Sequence, residues 1–431
     1  MHPALVPFYR AAAGLASAAA HLVPAGEGKL QRALAARRDA VTQLVEWART
    51  TRDRARPLLW MHAPSGGEGL QARPVLEQVR TTRPDVQLLY TFFSPSAERF
   101  AASLAVDGRG YLPFDTRGAA ERVLDAVAPT ALVFAKLDVW PQLVEHAAAR
   151  GVRTGMISAT LPVGSGRGGV LARALLRDAY ASLDAVGAID PDDAARLIAL
   201  GVRAERISVT GDTRYDQVAA RAAAVDRQSV LLTRVTAARP TVVAGSTWPA
   251  DERVLFDAWT TVRQAVPRAR LIIAPHEPTE SHLAPIESWV RTTSLRGARL
   301  AQLLDGSASA DVDVVVIDRV GVLGDLYALA DIAFVGGGFH AAGLHSVLEP
   351  AAYGVPVVYG PGGDRVRDAR ALSTAGGGRL VHDVDSLAGS LTQWLTQERA
   401  RSAAGAEARA VVERGLGAAA RSVALVESLL R

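Results

Sequence analysis

The feature that most restricts what this chain can become is an alternation that runs, breaks and starts again. Apolar runs of strand length at 58–63, 87–92, 131–134, 154–158, 185–188 and 207–210 are separated by helix-length stretches such as 70–81 and 118–127. Apolar strands alternating with helices indicate βαβ units and a mainly parallel sheet. After a helical, charge-bearing connector that ends at Pro240, the pattern resumes at 241–244, 270–274, 312–317, 332–335 and 355–359. With 431 residues, the chain is too long for one ordinary core. The expectation is two α/β domains, residues 1–216 and 240–431, joined by a linker at 217–239. The helical stretch from Gln397 onward is expected to cross back over the first half. Such halves leave a cleft, with ligands at the strand C-termini.

Composition narrows the function classes. Hydrophobic residues make up 49% and charged residues 21%, which excludes wholesale disorder. The chain has no cysteine, so disulfides and thiolate metal sites are excluded, and a reducing compartment fits. Lys29 and Lys136 are its only lysines, and arginine carries the remaining positive charge. Arginine suits bidentate phosphate contacts, although compositional bias gives the same excess. No dense basic run is interleaved with aromatics, so nucleic acid is not an expected partner. Residues 3–24 are alanine-rich and only marginally apolar, with Arg10 and His21 interrupting them. They fit either a plain helix packed on its own domain or a helix lying on a bilayer with Phe8, Tyr9, Leu15 and Leu22 toward lipid. The cluster Lys29, Arg32, Arg37 and Arg38 favours an anionic surface.

The chemistry-bearing motifs all follow strands. Ser65-Gly66-Gly67-Glu68-Gly69 places a carboxylate where a helix begins, as a general base or as a favourable charge on the helix dipole. Asp138 and Trp140 follow the strand that ends at Phe134, and core packing is the plainer role for Trp140. Gly164–Gly169 reads as a flexible loop, either a cover over the cleft or a tolerated insertion. In the second half, Gly245-Ser246-Thr247-Trp248-Pro249 puts hydroxyls and amides at the cleft mouth, opposite Glu68. Pro275-His276 ends another strand. His276, Glu280 and His282 lack a metal-site spacing, so no metal is expected. Gly336-Gly337-Gly338 follows an apolar strand, and Gly343 to Pro350 opens a helix carrying Glu349. Amides and a helix start at such a place hold phosphate, and a carboxylate one turn in reaches a ribose hydroxyl. Gly-x-Gly-x-x-Ala matches formally at Gly336 to Ala341, but the downstream strand-end acid of a dinucleotide site is missing, and no P-loop exists.

Taken in order, these blocks resemble the 3-deoxy-D-manno-octulosonic acid (Kdo) transferases of lipid A assembly. The N-terminal resemblance lies in Trp60 to Glu68, Tyr90 to Ser96, Tyr111 to Asp115 and Val209 to Asp216. The C-terminal resemblance lies in Val243 to Pro249, Ile273 to Glu277, Gly324 to Asp331 and Gly336 to Pro350. It implies a GT-B fold, two Rossmann-like domains with parallel sheets facing an interdomain cleft. It also implies transfer of Kdo from CMP-Kdo to a lipid A precursor at the cytoplasmic face of the inner membrane; CMP carries one phosphate, so such a site need not hold a metal. Carried onto this chain, Glu68 is the proton acceptor, Asp138 stabilises the transition state and Arg214 is the basic residue of the Gly-x-x-Arg-Tyr-Asp motif. Donor contacts fall on Gly245, Ser246, Pro275, His276, Val320, Gly321, Val322, Gly343, His345, Ser346, Val347, Leu348 and Glu349. The chain departs from the family's usual residues at His276 (arginine), Ser346 (asparagine), Asp138 (glutamate) and Gly69 (a bulkier residue). The alternatives are another GT-B transferase using a UDP-sugar, and a non-catalytic nucleotide- or lipid-binding scaffold.

Overall fold

The computed structural model describes residues 5–431 except 24, 25, 27 and 163. Two compact units emerge: one combines residues 1–217 with 416–431, and the other spans 218–415.

Among the described residues, the first unit is built on a seven-stranded sheet. Its strands are β1 (Leu58–His62), β2 (Gln87–Phe92), β3 (Gly108–Tyr111), β4 (Ala131–Ala135), β5 (Arg153–Ala159), β6 (Ala185–Ala188) and β7 (Ile207–Val209). The order is β3-β2-β1-β4-β5-β6-β7, and every pairing is parallel. Alternation of side chains along buried strands divides the core into two layers. Leu58 and Trp60 of β1 and Leu132 and Phe134 of β4 pack on one face. Leu59, Met61, Ala131, Val133 and Ala135 pack on the other. The chain winds away from β1 in one direction and returns to β4 on its other side. The loops after β1 and β4 therefore part at the sheet's switch point, where open α/β sheets bind ligands.

The second unit repeats the plan with β8 (Thr241–Thr247), β9 (Arg270–Pro275), β10 (Gly297–Arg299), β11 (Val314–Val316), β12 (Ile332–Val335), β13 (Val357–Tyr359) and β14 (Gly378–Leu380). The order is β10-β11-β9-β8-β12-β13-β14, again parallel, with the switch between β8 and β12.

Two segments differ from expectation. The stretch 217–239 is helical as expected, holding the end of the helix Arg214–Ala223 and the helix Val230–Val235, but from Val218 onward it counts with the second unit and does not stand between the two. The helix Glu398–Arg414 stays in the second unit, whereas Ala418–Leu429 belongs to the first. Asp216 fixes that return, its carboxylate accepting the Gly417 and Ala419 N–H groups at 2.8 and 2.9 Å.

The N-terminal helix Val6–Leu22 leaves Phe8, Leu15 and Leu22 exposed, at 73%, 71% and 85%. Tyr9, expected on the same face, turns inward instead: its hydroxyl donates to the buried carboxylate of Asp115 at 2.6 Å. Of the basic cluster, Arg32 is exposed and Arg37 turns inward. Arg37 is buried, donates to the Leu112 and Pro113 carbonyls and sits 4.2 Å over both the Phe93 and Phe114 rings. Pro3 and Pro24 and the side chains of His21 and Lys29 lie outside the described residues. Among the described residues, no helix is long and apolar enough to cross a membrane.

Candidate functional site

In the first unit, the candidate acids lie at the two strand ends that flank the switch. Beyond β1 the chain turns at Ser65 and opens the helix Gly66–Thr82, with Glu68 in its first turn. The Ser65 hydroxyl donates to Glu68 Oε2, and Lys136 Nζ lies 3.1 Å from Oε1. Burial pushes the Glu68 carboxyl up, but these two donors and the lysine's charge outweigh it and hold the group below the ordinary carboxylate range. Gly69 has a packing reason: a Cβ there would stand 2.4 Å from the Phe100 ring and 2.8 Å from the Tyr90 hydroxyl.

Asp138 is braced from three sides. Trp140 Nε1 donates to its Oδ2 at 3.0 Å, His62 Nε2 lies 3.3 Å from the same oxygen, and Arg167 donates to Oδ1 at 3.0 Å. Trp60 Nε1 donates to Thr91 Oγ1 at 2.8 Å, and that oxygen lies 3.0 Å from His62 Nδ1. A carboxylate requires a donor opposite, so Nε2 carries the imidazole proton and Nδ1 accepts from Thr91. Burial raises the Asp138 carboxyl, and His62 and Arg167 more than reverse it, so the group stays ionised below its ordinary range. Trp140, first read as core, thus orients the acid and also stacks on Phe93. Arg167 gives the glycine-rich loop a fixed point, since it also donates to the Leu137 carbonyl.

Arg214 is gripped by Asp212, with Nε and Nη2 at 2.8 and 2.6 Å from Oδ2. Gln71, one turn beyond Glu68 on the same helix, donates to Asp212 Oδ1 at 3.3 Å, and Thr213 donates to the Gln71 carbonyl at 2.7 Å. The helix that carries Glu68 is therefore tied to the motif that carries Arg214. No local motif marks Lys136, His62, Arg167 or Gln71 as partners.

In the second unit, the strand-end loops converge on Asp251, which is fully buried. Its carboxylate accepts from the Trp248, Gly337 and Phe339 amides at 2.9, 2.7 and 3.0 Å. This corrects the reading of the glycine run as an anion cradle: Asp251 already occupies the Gly337 amide, and the Gly343 amide donates to the His340 carbonyl. Gly337 has φ 85°, and a Cβ there would stand 2.1 Å from the Gly343 carbonyl oxygen. The glycines thus serve close backbone packing.

Trp248 stacks with two imidazoles, His276 at 4.5 Å and His340 at 4.3 Å, and its Nε1 donates to His345 Nε2 at 3.2 Å. Pro275 ends β9 beside this box. Gly245 and Ser246 lie at the end of β8, and Ser246 has a left-handed φ of 55°. Val347 and Leu348 are core residues, 1% and 0% exposed, so their side chains are withdrawn from any donor and only backbone can contribute. Ser346 is exposed at the start of the short helix Leu348–Ala352. Burial raises the Glu349 carboxyl, which Arg221 partly offsets. Arg221 donates to the Gly321 carbonyl at 3.4 Å, and Val320 beside it is exposed. Glu280 pairs with Arg299, and among the described residues no group of three histidine or acidic side chains is arranged to hold a metal.

Two doubly wound parallel-sheet units of this kind define the GT-B class of nucleotide-sugar enzymes. The UDP-GlcNAc 2-epimerase of Neisseria meningitidis, solved with UDP-GlcNAc, shares the fold with a TM-score of 0.60 at 15% identity, over 86% of this chain and 99% of that one. Residues 36–217 match the family described as 3-deoxy-D-manno-octulosonic-acid transferase (kdotransferase). The 3-deoxy-D-manno-octulosonic acid transferase of Bordetella pertussis is 31% identical over 389 residues, 86% of this chain and 87% of its own. That of Aquifex aeolicus (strain VF5) is 24% identical over 344 residues, 79% and 87% of the two chains. The chain belongs to the Kdo transferase family and is a glycosyltransferase.

Proposed function

We propose that this enzyme moves Kdo from CMP-Kdo to a lipid A precursor of the lipid IVA kind, with inversion, in lipopolysaccharide core biosynthesis. The observation that carries the reading is Glu68: an acid held ionised at a switch-point strand end, with Ser65 donating to one carboxylate oxygen and Lys136 to the other. Glu68 takes the proton from an acceptor hydroxyl, whose oxygen attacks the anomeric carbon while CMP leaves from the opposite face. Asp138, kept ionised, faces the positive charge that develops on the sugar. Arg214 shapes the field beside them. The second unit holds the donor through Gly245, Ser246, Pro275-His276, Val320 to Val322, His345, Ser346 and Glu349, with Val347 and Leu348 contributing backbone. A leaving group with a single phosphate needs no divalent ion, so transfer is expected to survive a chelator. The exposed face of Val6–Leu22, together with exposed Val170 and Leu171, supports a peripheral place on the cytoplasmic face of the inner membrane.

Glu68→Gln keeps the shape and removes the base. It is expected to retain CMP binding by calorimetry and to lose about 10²–10⁴-fold in turnover with CMP-Kdo and a lipid acceptor. Near-normal turnover would refute the assignment.

A further inference from the structure

The chain uses arginine almost wherever it needs a cation, and Lys136 is one of its two lysines. It stands directly after β4 in a left-handed backbone conformation, φ 70°, uncommon for a residue with a side chain. The Lys136 N–H donates to the Ile157 carbonyl at 2.9 Å and pins that turn. The turn sends the ammonium across the switch point to Glu68 Oε1, 3.1 Å away, with the lysine side chain 40% exposed and the glutamate 19%. Surface ion pairs are usually formed from relaxed backbone on both sides. Here an unfavourable conformation is maintained at the one place that brings a cation to the candidate base.

We propose that Lys136 is a positioning residue for Glu68, fixing its carboxylate in one orientation and keeping it deprotonated for the acceptor. The inference rests on the transfer reaction proposed above. The groups that face Glu68 are few. Ser65, from the preceding turn, donates to Oε2. Lys136, from the end of β4, donates to Oε1. The Tyr90 hydroxyl, on β2, is buried nearby without a hydrogen-bond partner, and Arg73, further along the Glu68 helix, also acts on it. The two carboxylate oxygens together accept four hydrogen bonds, so Ser65, Lys136 and the residue's own backbone N–H leave a lone pair free for the acceptor's proton. A lysine suits this better than an arginine, whose planar fork tends to span both oxygens. In the reaction, the proton passes from the acceptor O–H to Glu68. The oxygen's electron pair forms the new bond to the anomeric carbon, and CMP departs with the pair of the broken bond. Lys136 keeps its proton throughout, and its charge favours negative charge on the attacking oxygen.

The test compares wild type, Lys136→Met and Lys136→Arg as full-length proteins, with melting temperature confirming the fold. The pH profile of kcat/KM is measured with CMP-Kdo and a lipid acceptor. Without the cation, the acid limb moves to higher pH. Lys136→Met then loses about 10-fold for each pH unit of that movement at the acid end, and less than about 3-fold on the plateau. Lys136→Arg keeps the limb where wild type has it. A second readout needs no turnover: carbodiimide attacks protonated carboxyls, so peptide mass spectrometry should find Glu68 modified in Lys136→Met at pH values where wild type resists. An unmoved acid limb together with equal modification would overturn the proposal. A wild type that transfers no Kdo while the modification difference persists would instead overturn the reaction and leave the pairing intact.

Discussion

At the scale of single residues, the two units solve one problem in opposite ways. In the first, burial would neutralise Glu68 and Asp138, and hydrogen-bond donors together with Lys136 and Arg167 keep them charged. In the second, burial and the neighbouring His276 keep His345 neutral below the ordinary histidine value of 6.5. Trp248 reinforces this, because its N–H points at His345 Nε2 and needs a lone pair there. Asp251 opposes it, but both its oxygens are engaged by backbone amides. A base whose folded pKa is depressed stabilises the fold above its unfolded pKa, and that stability declines as pH falls below about 6.5. His345→Gln, which keeps an acceptor and cannot ionise, is therefore expected to lose less melting temperature than wild type between pH 7.5 and pH 5.5. Equal losses in the two proteins would show that His345 does not titrate against the fold.

At the scale of elements, the helix Val6–Leu22 divides its faces. Tyr9 and Arg10 bind the first unit through Asp115 and Gln142, while Phe8, Leu15 and Leu22, seven residues apart, share one exposed stripe. If that stripe enters the headgroup region, replacing all three by serine should weaken sedimentation with anionic vesicles by at least about 100-fold, since each large apolar side chain contributes about 1.5–3 kcal/mol when fully buried. Tyr9→Phe should leave binding unchanged because Tyr9 faces protein. Vesicle binding by the triple variant equal to wild type would exclude this helix as the contact. The same division marks how far sequence reading reached. Strands with apolar runs were legible, whereas β3, β10 and β14 were not. Gly108-Arg109-Gly110-Tyr111, Gly297-Ala298-Arg299 and Gly378-Arg379-Leu380 are short and interrupted by glycine and arginine, and each lies toward a sheet edge, where less burial is demanded. The acids at strand ends were legible because a strand, a turn and a helix start are all local. Their partners were not: Lys136 lies 68 residues from Glu68, and His62 lies 76 from Asp138. Only parallel pairing of β1 with β4 brings them together. Tyr9 and Arg37 misled because a lone amphipathic residue carries no mark of whether a buried carboxylate or an aromatic pair awaits it.

At the scale of the whole molecule, the first unit is discontinuous. The chain leaves it after Gln217, forms the second unit and re-enters at Leu416. The returning helix is part of the first unit's core. Val423, Val426, Leu429 and Leu430 are 5%, 0%, 1% and 6% exposed. Leu429 also fills the space left by Gly155 on β5, where a Cβ would stand 2.5 Å from its Cδ1. At about 1.5–3 kcal/mol for each buried side chain, these four contribute on the order of 10 kcal/mol. Whole domains are stable by only about 5–15 kcal/mol. Residues 1–217 expressed alone should therefore aggregate or melt without cooperativity. Residues 218–415, whose core is contributed from within that span, should fold alone. Joining 416–431 to 1–217 through a short glycine-serine linker should restore a monomer with a sharp transition, followed by size-exclusion chromatography and circular dichroism. The expected ranking follows from the discontinuity: the rejoined segment folds and the bare one does not, although the two differ mainly by one helix. If residues 1–217 melted cooperatively without that helix, its burial would be dispensable, and the first unit would have to be redrawn to end at Gln217.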